Sequence, residues 1–244
     1  MEQRKKIFGA LDDLMRSPIG DRLRERVFRE LSTKEIHDLL QREQKPYKEL
    51  MAYYQCALME VETKFRVLNE QFSLAHDRNP IESIKTRVKS LESITEKLNR
   101  RNLPFSTQSI EENLTDIAGI RIICQFVEDI EKVVEIIRKR SDVIIKKEKD
   151  YITNSKESGY RSYHVIAYYT VQTINGPKNL EVEIQIRTLA MNFWASLEHQ
   201  MHYKQFDNDD MPEIVKQLTE CAENIYQTDV RMQEIREDIH KFNE

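Results

Sequence analysis

Glycine and proline are scarce, 5 and 6 residues in a chain of 244. Both interrupt regular structure, so their scarcity argues against a turn-rich chain and for long helices with short joints. Cysteine is limited to Cys56, Cys124 and Cys221. They show no CxxC and no Cys/His ligand spacing, which leaves no zinc motif or disulfide framework and fits a thiol-reducing, cytoplasmic setting. No apolar run reaches membrane-spanning length, and the opening MEQRKKIFGALDDLM lacks the apolar centre of a signal peptide. A cytoplasmic protein without membrane contact is expected. A large excess of one charge is also missing: the net charge is −4. No global field draws the chain to nucleic acid, so any anion site must be a local basic cluster. None of the glycines falls in GxxxxGK[ST], and phosphate would have to be held mainly by side chains.

Apolar residues make up 39% and charged residues 33%. This composition suits a helix-rich protein with one sizeable core or two small domains. Residues 1–45 read as short amphipathic helices, with breaks near Ser17-Pro18-Ile19-Gly20 and at a helix start around Thr33. A long helical pattern opens at Pro46 and carries Leu50, Tyr54, Leu58, Val61, Phe65 and Leu68 at three- and four-residue steps. A further helix is expected from Pro80 to Arg100. Ala118–Gln125 is β-branched and reads as a buried strand, residues 128–140 as a helix, and Val143–Lys147 as a second strand. Arg161–Thr173 and Leu180–Thr188 read as strands joined at an Asn175-Gly176 turn. Helices follow at 189–204 and 211–242. The sum is an α+β fold: a mixed sheet of about five strands flanked by helices, with helical N- and C-terminal extensions. Residues 1–79 are expected to form the extension and assembly helices, 80–204 the catalytic core and 205–244 a C-terminal helix.

Three polar patterns stand out. In LEVEIQIRT, alternation puts Glu181, Glu183, Gln185 and Arg187 on one sheet face. Taken alone, that row equally fits a solvated face. Asp116 lies just before the Ala118 strand, where Gly119 leaves room for close approach. Asp116 and Glu183 together could hold Mg²⁺, which takes one or two carboxylates plus phosphate oxygens and water. The segment KDYITNSKESGYRSYH gathers Lys149, Lys156, Tyr160, Arg161, Tyr163 and His164 around one glycine. It offers charge for phosphate and rings for a base, although a polar hairpin loop would look similar. Arg87, Lys89, Ser93, Lys97 and Arg100 fall in the expected 80–100 helix, with Lys89, Ser93 and Lys97 stepping by four along one face.

In order along the chain, PIESIKTRVKSLESITEKL, LTDIAGIRIICQF, KDYITNSKESGYRSYH and VEIQIRTLAMNFWASLEH resemble the RelA/SpoT synthetase family, most closely its small alarmone synthetases of the RelQ type. The resemblance implies a nucleotidyltransferase-like synthetase fold. It also implies transfer of the β,γ-pyrophosphate of ATP to the ribose 3′-hydroxyl of GDP or GTP. Asp116 and Glu183 would bind Mg²⁺, and Glu183 would be the base. Arg87 and Arg121 would sandwich adenine, and Lys89, Ser93, Lys97 and Arg100 would hold the ATP phosphates. Tyr160 would stack on guanine and Asn192 read its edge. Lys149, Lys156 and His164 would meet acceptor phosphates, with Gln185 and Arg187 in support. The resemblance further implies a homotetramer whose central cleft takes a pppGpp effector or single-stranded RNA. Here Ser83 stands where an aromatic residue is expected, while Lys64 and Arg66 keep basic character. His37-Asp38 and His76-Asp77 lack a metal-ligand set. The competing reading is a toxin-like pyrophosphotransferase acting on adenine nucleotides or the tRNA 3′ end. A non-enzymatic scaffold is a third, opposed by the intact Asp116, Glu183, Tyr160 and His164.

Overall fold

The structure, a computed structural model, describes residues 33–75, 78–201 and 211–243. Helix α1 spans Thr33–Ala75 and is followed by strand β1, Ile81–Val88. Helices α2 (Leu91–Arg100) and α3 (Thr107–Asn113) lead to β2, Ala118–Cys124. Helix α4 (Val127–Lys139) connects β2 to β3, Ile144–Asp150. Strands β4 (Tyr163–Thr173) and β5 (Gly176–Thr188) form a hairpin, and α5 (Leu189–Met201) and α6 (Met211–Asn243) follow. The expected short helices of residues 1–32, the His76-Asp77 pair and residues 202–204 lie outside the described residues.

The five strands form one sheet in the order β1-β2-β5-β4-β3. β2 and β5 are parallel, and the other neighbours are antiparallel. The parallel pair is possible because α4 carries the chain from β2 to the far edge, and the β4–β5 hairpin brings it back beside β2. One face is apolar. Ile120 and Ile122 of β2, Val165 and Ala167 of β4, and Val182, Ile184 and Ile186 of β5 are buried there. They share one core with Leu50, Tyr54, Leu58, Val61 and Phe65 of α1 and with Ile130, Val133 and Ile137 of α4. Each Val, Leu, Ile or Phe among them contributes about 1.5–3 kcal/mol of transfer free energy.

Three local expectations are corrected. The 80–100 helix is a strand followed by a ten-residue helix. A bulge between Ile81 and Ser83 breaks the alternation of β1. Apolar residues therefore fall at Ile81, Ile84 and Val88, a spacing that mimics a helix. Ser90 then caps α2 by accepting from the Ser93 amide at 3.3 Å. Lys89 accordingly precedes the helix that carries Ser93 and Lys97. The second correction concerns Pro46, which lies inside α1 rather than at its start. One proline removes one amide donor, which a long helix with good helix formers on both sides absorbs. Third, the β4–β5 turn is centred on Ile174-Asn175, and Gly176 pairs with Thr173. Gly176 takes φ +103° just after the turn, a conformation that favours glycine, so β5 begins there instead of at Leu180.

Candidate active site

The second face of the sheet is polar, and strand order builds it. β5 lies between β2 and β4, with Glu183 opposite Gly119 on one side and Ile166 on the other. Gln185 lies between Arg121 and His164, and Lys149 of β3 pairs with His164. On β1, Arg87 pairs with Gly119 and Lys85 with Arg121. Residues 15 to 64 positions apart in sequence thus become neighbours on one surface.

A cavity of about 330 Å³ opens on this face, lined by Lys85, Arg87, Asp116, Gly119, Arg121, Glu183 and Gln185. Asp116 and Glu183 therefore share one cavity, and the charge of Asp116 is felt at Glu183. Asp116 Oδ2 accepts from Lys97 at 2.7 Å and Lys89 at 3.0 Å. Burial pushes the Asp116 pKa up, but the two ammonium groups outweigh it and hold the carboxyl below its ordinary value. Its other oxygen, Oδ1, is buried and has no hydrogen-bond partner. A larger cleft of about 840 Å³ lies elsewhere, beside Arg78, Glu128, Lys132 and Arg236. Its cations are paired with Glu128 and Asp129, so size does not make it the better candidate.

Glu183 is also the end of a closed hydrogen-bonded ring. Arg187 Nη2 donates to Gln185 Oε1 at 2.7 Å, and Gln185 Nε2 donates to Glu183 Oε2 at 2.8 Å. The same Arg187 nitrogen donates to the Tyr160 hydroxyl at 2.7 Å. That hydroxyl lies 2.9 Å from His164 Nε2, and His164 Nδ1 lies 3.3 Å from Glu183 Oε1. A carboxylate only accepts, so Nδ1 carries a hydrogen. Burial raises the Glu183 pKa, but His164 and Gln185 more than offset it, and the net direction is downward. His164 is 6% exposed with both ring nitrogens engaged. In this state it braces Glu183 instead of presenting a free edge to phosphate.

The remaining expected residues fall around these two clusters. Lys156 Nζ sits over the Tyr160 ring at 4.6 Å and over Tyr151 at 4.8 Å. Arg121 reaches Asn192 Oδ1 of α5 at 3.5 Å. Ser93 is tied to the Ser90 hydroxyl at 3.1 Å, and Arg100 is exposed at the end of α2. Tyr163 is turned to the other face, hydrogen-bonded to Glu148 and Arg138. Lys64 pairs with Asp142 at 2.7 Å and Arg66 with Glu62 at 2.6 Å. Sequence reasoning missed Lys85, which alternates with Arg87 along β1, and Tyr151, which packs edge-on against His164 at 5.2 Å. Reading IESIKTRV as a strand would have found the first. The second had no signal beyond its place in the loop.

Residues 86–208 match the region found in RelA / SpoT proteins. The chain belongs to the RelA/SpoT family. Among its relatives, the GTP pyrophosphokinase YwaC of Bacillus subtilis is 42% identical over 193 residues, covering 79% of this chain and 91% of that one. A GTP pyrophosphokinase family protein from Streptococcus pneumoniae superposes with a TM-score of 0.72 at 47% identity, over 80% of this chain and 95% of that one. The small alarmone synthetase 1 from Bacillus subtilis, solved bound to its product pppGpp, gives 0.74 at 40% identity, over 80% and 98% of the two chains. The same synthetase bound to AMPCPP gives 0.66 at 38% identity, over 80% and 98%. The RelA/SpoT match begins inside β1 and runs past α5, so it takes in Arg87, Asp116, Glu183 and the 149–164 loop segment.

Proposed function

We propose that this chain is a (p)ppGpp synthetase that transfers the β,γ-pyrophosphate of ATP to the ribose 3′-hydroxyl of GDP or GTP. One observation carries the reading: the carboxylates of Asp116 and Glu183 open into one cavity, with cations on the β1–β2 side and the Tyr160 loop linked to the other. Two nucleotides can be held on either side of Glu183. ATP lies on the β1–β2 side. Arg87 and Arg121 are diagonal neighbours on adjacent strands, about 7–8 Å apart by sheet geometry, with room between them for one flat ring. Lys89 and Lys97, with Ser93 and Arg100 on α2, meet the phosphates. The acceptor lies on the β4–β3 side, its guanine on Tyr160, its edge read by Asn192 and its phosphates near Lys149 and Lys156. Lys156 leaves the Tyr160 ring as the base arrives.

The 3′-oxygen attacks the β-phosphorus, the bond from that phosphorus to the α–β bridging oxygen breaks, and AMP leaves. The hydroxyl proton goes to Glu183. Its depressed pKa keeps the carboxylate ionised at neutral pH, the form that accepts a proton, while making it a weaker base. The ring from Arg187 through Gln185 and through Tyr160 and His164 fixes the orientation of Glu183. Catalysis is otherwise positioning and neutralisation of charge.

Mg²⁺ fits the residues present. Asp116 keeps an unpartnered buried oxygen and lines a cavity that it shares with Glu183. Among the described residues no group of three potential ligands gathers, and Mg²⁺ with phosphate oxygens and water needs only one or two carboxylates. When bound, the ion would neutralise phosphate charge and lower the pKa of the attacking hydroxyl. Lys89 and Lys97 pair with Asp116 in the free chain and would be free to meet phosphate if that carboxylate held the ion instead. Assembly as a homotetramer is part of the same proposal. Leu189, Phe193, Leu197 and Met201 form an exposed stripe on α5, and Met232, Ile235, Ile239 and Phe242 another on α6. A pppGpp effector or single-stranded RNA in a central cleft belongs to the proposal too, with Lys64 and Arg66 already paired within the chain. No described helix is long and apolar enough to cross a membrane.

The test is a thin-layer assay with labelled ATP and, separately, GDP, GTP, AMP and tRNA, with Mg²⁺ and with chelator. Guanosine products that require Mg²⁺ and vanish in Asp116→Ala and Glu183→Ala are expected. Label on AMP or tRNA alone would replace this reading with the toxin-like one. Near-normal turnover in either variant would remove the metal assignment.

A further inference from the structure

Tyr160 and Lys156 lie on the loop that joins β3 to β4. Among the contacts that hold this loop, four reach the C-terminal helix α6. Gly159 takes φ +82°. A Cβ built there would lie 2.5 Å from Ala222 Cβ and 3.4 Å from the Thr219 backbone, so the loop lies directly against the helix. Arg161 Nη1 donates to the Ile152 carbonyl at 2.5 Å, across the loop, and Nη2 donates to Glu223 of α6 at 2.8 Å. Its guanidinium also lies 4.0 Å from the ring centre of Tyr226. Thr219 Oγ1 donates to the Glu157 carbonyl at 3.2 Å. The ring of Tyr160 packs on a small cluster of Trp194, Ala195 and Ala222. Only about 10 Å³ of space remains among Gly159, Trp194, Ala222 and their neighbours, too little for a comfortable water.

The ATP side shows no such dependence. Arg87, Lys89, Lys97 and Asp116 are held by β1, α2 and β2, and none of their ion pairs or hydrogen bonds named above reaches α6. We infer that α6 is a clamp for the acceptor loop, with Arg161, Glu223 and Ala222 as positioning residues that set acceptor affinity without touching the donor. The inference rests on the acceptor role proposed for Tyr160. It makes the C-terminal helix a specificity element: a shift of α6 by part of an ångström moves the stacking ring and leaves the adenine site in place.

Arg161→Met cuts the tie between the loop and the helix, and Ala222→Leu wedges them apart. In both, the KM for GDP is expected to rise about tenfold or more, the loss of roughly one charge-assisted hydrogen bond, with the KM for ATP within about twofold. Trp194 is the only tryptophan, and it donates to the Leu218 carbonyl of α6 at 3.1 Å. Its emission is expected to change on titration with GDP in wild-type protein, and the midpoint should move with the KM in the variants. A hydrogen-exchange arm needs no substrate: amides of residues 151–162 should exchange faster in Arg161→Met while those of β2 and β5 keep their protection. A loop with wild-type protection in Arg161→Met overturns the clamp, and so does an equal rise of both KM values. Lost protection in Arg161→Met, together with a wild-type chain that transfers to no guanosine nucleotide, would instead sink the acceptor reading and leave the mechanical coupling standing.

Discussion

Gly119 separates what the fold needs from what the site needs. It sits in β2 on the polar face, between Arg87 of β1 and Glu183 of β5, and lines the 330 Å³ cavity. A Cβ there would meet only the Arg87 carbonyl, at an ordinary contact distance of 3.6 Å. Among the described residues the positive-φ glycines are Gly159 and Gly176, so the backbone at 119 accepts a side chain. Replacing a glycine at a compatible position reduces the entropy of the unfolded chain and stabilises by about 0.4–1 kcal/mol. In a chain of this size that is roughly 1–4 °C in Tm. Gly119→Ala and Gly119→Val should therefore fold as well as the parent or better, the valine helped further by its strand preference. The added carbons enter the space where ATP is proposed to bind. Displacing a reacting group by about 1 Å costs about 100-fold in rate. The valine variant is expected to lose about that much in kcat/KM for ATP, the alanine variant less. The assay pairs a thermal unfolding scan with initial rates at saturating GDP and varied ATP. Wild-type kcat/KM in Gly119→Val would refute the placement of ATP. A fall in Tm together with activity would refute the claim that the glycine serves the ligand and not the fold.

Arg187 is 4% exposed and donates both arms of the ring that ends on Glu183. Arg187→Met removes two charge-assisted hydrogen bonds of about 1.5–3 kcal/mol each, partly offset by relief of the like charge at Arg121. A net loss of about 2–4 kcal/mol in denaturant unfolding is expected, with kcat reduced more than either KM; unchanged stability would show that the ring is incidental. Asp229 of α6 is buried and accepts from Thr188 Oγ1 at 2.5 Å. Burial is the leading cause and raises its pKa, while Thr188 opposes it. Its contribution is therefore full below the unfolded value of about 3.9 and is lost as pH rises through the higher folded value. Asp229→Asn should gain stability relative to the parent as pH climbs above about 4 and match it near pH 3. A gap that stays constant across that range would contradict the sign of the shift.

Much of this architecture was legible locally. β-branched runs marked β2 and β4, the 3.6-residue period marked the buried stripe of α1, and alternation in LEVEIQIRT put Glu183, Gln185 and Arg187 on one face. The errors fell where one local signal imitated another. A bulge gave β1 a helical spacing, Pro46 resembled a helix start, and the glycine after a turn resembled the turn itself. The residue types of the candidate site could be named from the sequence as well, because carboxylates, cations and rings are what the proposed binding of phosphates and bases would need. What one-dimensional order does not contain is strand order. Nothing in the chain says that β5 inserts between β2 and β4. That insertion brings Asp116, Glu183 and His164 to one surface and closes the ring from Arg187. It also does not say that α6 returns to grip the loop of Tyr160. Period and propensity act over a few residues and are set by backbone sterics and side-chain shape. The sheet order and the helix clamp come from burying an apolar face against distant segments, a choice that exists only once the chain has folded.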